Sequence, residues 1–316
     1  MEVIQLAQWG GIMLASLYVL VRGADLFVEG AKRIGASFGM SSFAIGVLIV
    51  GLGTSLPELA SSIAAVMAGT TEIVIANAVG SNITNILLIV GVLAMLGGPV
   101  VINKDLLKTE LPIFFIATVH FVASIYDGVV DRIEALLLFG TLCAYIWYLF
   151  SSANKAKDEM KVKVKKNGIT VKDWTFVILG IGALLLGAKY TVAMAVNIAT
   201  GLAVPIGLVS IGAIAIGTSL PELFVSLQAI KNKETDLAIG NIFGSNAFNI
   251  LMVVGIPGLI SQLEAGEVVM NLGIGVLIAA SLILFVNGLA RQVQRWEGVA
   301  MMIFFLFFLI KLVAFV

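Results

Sequence analysis

Apolar runs long enough to cross a bilayer follow one another along the whole chain. Ten are read from the sequence, at about 6–34, 41–68, 73–98, 105–126, 130–151, 173–201, 205–229, 237–262, 268–288 and 294–315. Hydrocarbon offers no partner to backbone N–H and C=O groups, so such runs must close their hydrogen bonds internally, as helices. The expected fold class is therefore an all-α polytopic membrane protein with ten transmembrane helices. Composition agrees: 12% of residues are charged, about half the ~25% of a soluble domain. Several runs exceed the ~20 residues a span requires, which predicts tilt or a break. No basic residue precedes the first run, so it reads as a permanent span and not a cleaved leader. Cys143 is the single cysteine, which excludes an intrachain disulfide and a multi-cysteine metal site.

The long polar stretch between the fifth and sixth runs carries Lys155, Lys157, Lys161, Lys163, Lys165, Lys166 and Lys172. Loops rich in Lys and Arg stay in the cytoplasm. With 153–172 inside, Lys32, Arg33, Lys104, Lys108, Lys231, Lys233, Arg291 and Arg295 also fall inside. Glu72, Asp127, Asp131, Glu134, Glu264 and Glu267 fall outside, as do both termini. The same loop divides the chain into a first five-helix unit at 1–152 and a second at 173–316.

A shift of 164 positions superimposes the two units. Gly53–Leu59 and Gly217–Leu223 are both Gly-Thr-Ser-Leu-Pro-Glu-Leu. Asn77, Gly80, Ser81, Asn82, Asn85 and Ile86 recur, without a gap, as Asn241, Gly244, Ser245, Asn246, Asn249 and Ile250. An odd number of spans per unit inserts the second unit upside down. That is the inverted-repeat plan of secondary transporters, whose sites lie at mid-membrane on the repeat interface.

Glu58 and Glu222 fall inside apolar runs. A carboxylate at mid-bilayer costs about 2.5–3.5 kcal/mol on insertion scales, so both should face the bundle interior and have partners. Their neighbours supply oxygen. Thr54 and Ser62 lie one turn either side of Glu58, and Thr218 and Ser226 do the same for Glu222. Asn77, Ser81 and Asn85 stack on one helix face, as do Asn241, Ser245 and Asn249. Carboxylate, hydroxyl and amide oxygens suit hard cations such as Ca2+ and Na+. Pro57 and Pro221, read as helix-interior prolines, would disturb the Gly53 and Gly217 carbonyls, and Gly51, Gly53 and Gly217 would loosen the same turn. Broken helices at the centre are expected.

The doubled Gly-Thr-Ser-Leu-Pro-Glu, each copy followed by Asn-x-x-Gly-Ser-Asn, resembles the alpha repeats of the Ca2+/cation antiporter superfamily, closest to its prokaryotic Na+/Ca2+ exchangers. The resemblance spans both halves. It implies Glu58 and Glu222 as shared ligands, Thr54, Ser55, Ser81 and Asn85 as ligands from the first repeat, and Thr218, Ser219, Ser245 and Asn249 from the second. It also implies carbonyl donors at Gly51 and Ala215. Potassium-dependent relatives, and some archaeal exchangers, carry an acid where this chain has Asn249; asparagine at both 85 and 249 leaves two carboxylates and favours Na+/Ca2+ exchange without K+. The expected setting is a prokaryotic plasma membrane.

One Ca2+ or two Na+ would neutralise the two carboxylates, so both ions would compete for one site. A third Na+, implied by the resemblance, would make exchange electrogenic. The first and sixth runs, with Gly23-Ala24 matched by Gly187-Ala188, are expected to slide against the rest and alternate access. The nearest rival is an H+/Ca2+ antiporter, and a cation channel is more distant. An intramembrane hydrolase using Ser55 or Ser219 would need a general base, and the single histidine, His120, is not duplicated with the motif. The chain is therefore read as a non-enzyme without a cofactor. Its partners would be Ca2+, Na+ and the bilayer, with no nucleic acid and no obligatory protein partner.

Blander roles compete for some residues. Glu58 and Glu222 could be structural, kept protonated or paired to Arg22 or Lys189. Asn77 and Asn241 could cap broken helices. Ser62 and Ser226 are expected to bond carbonyls of their own helix, and His120 to be a packing residue.

Overall fold

The computed structural model describes residues 3–102, 106, 110–159, 169–202 and 216–315. Its first half opens with α1 (Val3–Ser37). The second span is composite: α2 (Ser42–Ile45), a π-helical stretch Gly46–Gly51, α3 (Leu52–Thr54) and, after a break, α4 (Leu56–Met67). The third joins α5 (Glu72–Ile83) through a π-helical stretch Thr84–Ile89 to α6 (Val90–Gly97). Then come α7 (Glu110–Ser124) and α8 (Arg132–Glu159).

The second half holds α9 (Val171–Gly201), α10 (Leu220–Lys231), α11 (Thr235–Leu251) and α12 (Gly255–Ile260). A π-helical stretch Val269–Gly273 leads into α13 (Ile274–Ala290), and α14 (Arg295–Phe315) closes the chain. Among the described residues, eight helical segments are long and apolar enough to cross a membrane.

The fourth span, expected at 105–126, is described at residue 106 and from Glu110, where α7 runs to Ser124. Two expectations about the spans change. The seventh, expected at 205–229, lies outside the described residues as far as 215; from 216 it is broken and resumes as α10. The polar stretch expected to begin at 153 is helical as far as Glu159, because α8 runs on past its apolar part.

One repeat after the π-helical Thr84–Ile89, a single five-residue bond remains, from Val253 N–H to the Phe248 carbonyl at 3.0 Å. There α11 ends at Leu251 and α12 restarts at Gly255. Pro257 accounts for the difference, since its ring clashes with the carbonyl four residues earlier, at Val253.

The two halves interlock about a pseudo-two-fold axis. Two short antiparallel ladders tie one half to the other: β1 (Val100–Val101) with β4 (Gln292–Val293), and β2 (Val129–Val130) with β3 (Leu263–Glu264). Val100 pairs with Val293, and Val129 with Glu264. Moving each residue of the first pair by one repeat yields the second pair, so the ladders are images of one another at opposite ends of the bundle.

Residues 237–255 are buried without interruption, whereas Arg295–Ala314 is mostly exposed. The second span packs against α11 at backbone distance. A Cβ on Gly240 would lie 2.4 Å from the Phe43 carbonyl oxygen, so only glycine permits the approach. Outside this core, α1 and α9 form an antiparallel pair. Ser16 meets Thr191 at 2.8 Å, and a Cβ on Gly187 would lie 2.9 Å from the Leu20 backbone nitrogen. Arg33 of α1 pairs with Asp173 of α9 at 3.5 Å.

Candidate functional site

The break in the second span falls at Ser55, between α3 and α4, and its counterpart at Thr218–Ser219, just before α10. Pro57 and Pro221 lie in the first turn of the helices that follow. This corrects the helix-interior reading of both prolines: each starts a new helix, where its fixed φ is favourable and its missing N–H is no loss. The ladder holds up to the first break, since Ser55 N–H donates to the Gly51 carbonyl at 3.1 Å.

Each new helix carries its glutamate in the first turn, where the positive end of the helix dipole favours negative charge. Glu58 and Glu222 are both fully buried, and their carboxyl groups interact electrostatically across the axis. Each also lies within electrostatic reach of a threonine from the other repeat, Thr218 for Glu58 and Thr54 for Glu222. The repeats thus exchange hydroxyl neighbours as well as facing each other. The alternative of structural ion pairs fails: Arg22 is paired with Asp25 at 3.3 Å, and Lys189 is exposed.

The structure brings Thr54, Thr218, Ser81 and Ser245 together around the glutamates. Thr54, Ser55, Ser81, Asn85, Ser219, Ser245 and Asn249 are all buried, and Thr218 is half-buried. Thr54 Oγ1 lies 3.2 Å from Ser245 Oγ, and the inverted contact joins Ser81 Oγ to Thr218 Oγ1 at 3.2 Å. The Gly51 carbonyl accepts from Thr54 Oγ1 at 3.3 Å and from Ser245 Oγ at 3.4 Å. Ala215 falls outside the described residues.

Buried polar atoms in a folded protein nearly always have partners. Here both carboxylate oxygens of Glu58 and Glu222, the Ser55 and Ser219 hydroxyls and the whole amides of Asn85 and Asn249 have no hydrogen-bond partner. These atoms come in repeat-related pairs, as a site shared by the two halves requires. Oxygen-rich, desolvated and charged, the cluster fits a hard cation better than any protein donor. Among the described residues no group of three or more His, Cys, Asp or Glu is gathered anywhere. The cluster therefore presents two formal negative charges.

Two residues that the sequence marked only by their recurrence meet in the structure. Asn82 and Asn246, one repeat apart, are fully buried and touch: Asn82 Nδ2 donates to the Asn246 carbonyl at 3.1 Å, while both Oδ1 atoms have no partner. Residues equivalent by symmetry meet only at the axis. Their recurrence in the Gly-Ser-Asn triplets was the available signal. Ser62 and Ser226 also differ from expectation. Their hydroxyls accept from Asn77 Nδ2 at 3.2 Å and Asn241 Nδ2 at 2.9 Å, across helices and not within their own. His120 is half-buried, with Nδ1 3.1 Å from Thr141 Oγ1.

Comparison with known proteins agrees with this construction. The model of the sodium/calcium exchanger protein family matches twice, over residues 9–151 and 172–314, once for each half. The sodium/calcium exchanger MaX1 of Methanosarcina acetivorans is 35% identical over 95% of this chain and 97% of its own. The inner membrane protein YrbG of Escherichia coli is 31% identical over 92% of each. Among solved structures, the sodium-calcium exchanger NCX_Mj soaked without Na+ and Ca2+ superimposes with a TM-score of 0.79. It is 30% identical, and the match covers 96% of this chain and 98% of that one.

Proposed function

The chain belongs to the sodium/calcium exchanger family, and on that premise we propose that it exchanges Na+ for Ca2+ across the membrane at the Glu58/Glu222 site. The observation that carries the proposal is the repeat-related set of buried oxygens without partners. One Ca2+ takes about 6–8 oxygens. Glu58, Glu222, Thr54, Thr218, Ser55, Ser219, Ser81, Ser245, Asn85, Asn249 and the carbonyls of Gly51 and Ala215 offer more than that. The surplus allows several Na+ to occupy the set in place of one Ca2+.

Coupling then follows from charge. With two carboxylates as its charged groups, the site is neutral with one Ca2+ or two Na+, and a third Na+ on hydroxyl and carbonyl oxygens leaves one positive charge per cycle. Empty, the carboxylates repel each other in a medium of low dielectric, so the unloaded site resists passage and exchange is obligatory. The antiparallel α1/α9 pair slides over the core to open the site to one face at a time. The 153–172 stretch lies in the cytoplasm of a prokaryotic cell and both termini lie outside. Residues 1–152 and 173–316 act as the two inverted units.

The test is 45Ca2+ uptake into proteoliposomes. Na+-loaded vesicles diluted into Na+-free buffer take up Ca2+, and vesicles given a proton gradient alone do not. Glu58→Gln and Glu222→Gln each reduce uptake to background. Uptake that followed the proton gradient instead would overturn the reading in favour of H+/Ca2+ antiport.

A further inference from the structure

Asn77 and Asn241 stand outside the ligand set, yet both are buried and both reach across to the broken helices. Asn77 Nδ2, on α5, lies within donating distance of the Glu58 backbone carbonyl at 3.3 Å and of the Ser61 and Ser62 hydroxyls, each at 3.2 Å. Asn241 Nδ2, on α11, donates to the Glu222 carbonyl at 3.4 Å and to Ser226 Oγ at 2.9 Å. Each amide nitrogen therefore grips the backbone of the glutamate itself, just past the break.

The amide oxygens face the hydroxyl ligands. Asn241 Oδ1 accepts from Thr54 Oγ1 at 3.2 Å and Ser245 Oγ at 3.5 Å, and Asn77 Oδ1 accepts from Ser81 Oγ at 3.5 Å. A hydroxyl serves a cation through its lone pairs, so its proton must go elsewhere. Asn241 Oδ1 stands beside the Gly51 carbonyl as an acceptor for the Thr54 and Ser245 protons, and Asn77 Oδ1 is an acceptor for that of Ser81. The contrast with Asn85 and Asn249, whose amides have no partner at either end, separates the two pairs of asparagines by role.

We propose that Asn77 and Asn241 are positioning residues for ion binding. Each fixes its glutamate backbone across the helix break and accepts the protons of neighbouring hydroxyl ligands, so carboxylate and lone pairs converge on one point. The inference rests on the exchange reading. It predicts a loss of ion affinity with little change in turnover, because the loosened residues shape the empty site and not the sliding step.

The test compares Asn241→Ala, Asn77→Ala, Ser226→Ala and the double variant Asn241→Ala/Ser226→Ala in the full chain. Initial 45Ca2+ uptake is measured against Ca2+ concentration in Na+-loaded proteoliposomes, and Ca2+ binding to purified protein by calorimetry. Asn241→Ala raises the KM for Ca2+ about tenfold, or ~1.4 kcal/mol, with kcat within about twofold. Ser226→Ala raises it less, and the double variant is no worse than Asn241→Ala alone, because one bond is being removed twice. An unchanged KM, additive effects, or a loss confined to kcat overturns the proposal. If Asn241→Ala does not yield monodisperse protein, Ser226→Ala and Asn77→Ala decide by the same criterion. A wild-type protein that binds Ca2+ but shows no Na+-driven uptake defeats the exchange reading, while the calorimetric shifts still judge the asparagines.

Discussion

Replacing Gly53 with alanine separates two explanations of one residue. Read from sequence, the glycine loosens the turn beside the break. In the structure Gly53 is helical and not left-handed, so alanine fits the backbone without strain. What alanine meets instead is Phe27 of α1. A Cβ at residue 53 would stand 2.6 Å from the Phe27 Cζ and 3.3 Å from its Cε2. Carbon atoms in contact prefer ~3.5–4.0 Å, so the overlap is about 1 Å. The ring has nowhere to retreat. Phe27 is fully buried, and its backbone nitrogen lies 2.6 Å from where a Gly180 Cβ would stand, with α9 directly behind it.

Overpacking of this kind costs about 1–3 kcal/mol, and 1.4 kcal/mol is tenfold in an equilibrium. Gly53→Ala should therefore lower the apparent Tm in detergent by several degrees and slow Na+-driven 45Ca2+ uptake about tenfold. The deciding variant is Gly53→Ala/Phe27→Leu, since leucine lacks the ring carbon that collides. The double variant should recover most of the Tm and most of the rate. If it is no better than Gly53→Ala, the clash is not the cause and the backbone explanation stands.

Two further outcomes are expected. Gly187→Val should part α1 from α9, because even its Cβ would fall 2.8 Å from the Leu20 Cγ and 3.0 Å from the Ser16 carbonyl oxygen; the expected result is an uptake rate at background with α1–α9 cysteine crosslinks lost, and wild-type crosslinking would refute it. Asn249→Asp should add a third carboxylate to the site, lower the KM for Ca2+ and slow its release, so kcat falls. A raised KM would show that residue 249 is too far from the ion to matter.

The sequence alone determined the solvent, the number of halves and their opposed orientation, and the two acids at the centre. These are linear properties: hydropathy, span length and a repeat at fixed offset are visible without knowing which residues touch. It also marked Thr54, Ser81 and Asn85 with their partners one repeat later, because hydroxyl and amide spacing along a helix fixes a face, while Ser55 and Ser219 came from the resemblance to the alpha repeats. It went wrong where a local rule had two outcomes. A proline in an apolar run either kinks a helix or starts one, and Pro57 and Pro221 start one. A buried serine bonds its own carbonyl or a neighbouring helix, and Ser62 and Ser226 take the neighbour.

Only the tertiary structure decided which repeat serves which glutamate. Thr54 lies beside Glu222 and Thr218 beside Glu58, a crossing that no distance along the chain implies. It alone put Asn82 against Asn246 on the axis and Phe27 against Gly53. It alone joined the halves through two ladders of two residues each, too short for any periodicity to announce. Each of these is a contact between residues far apart in sequence, fixed by how two inverted bundles close around a shared centre.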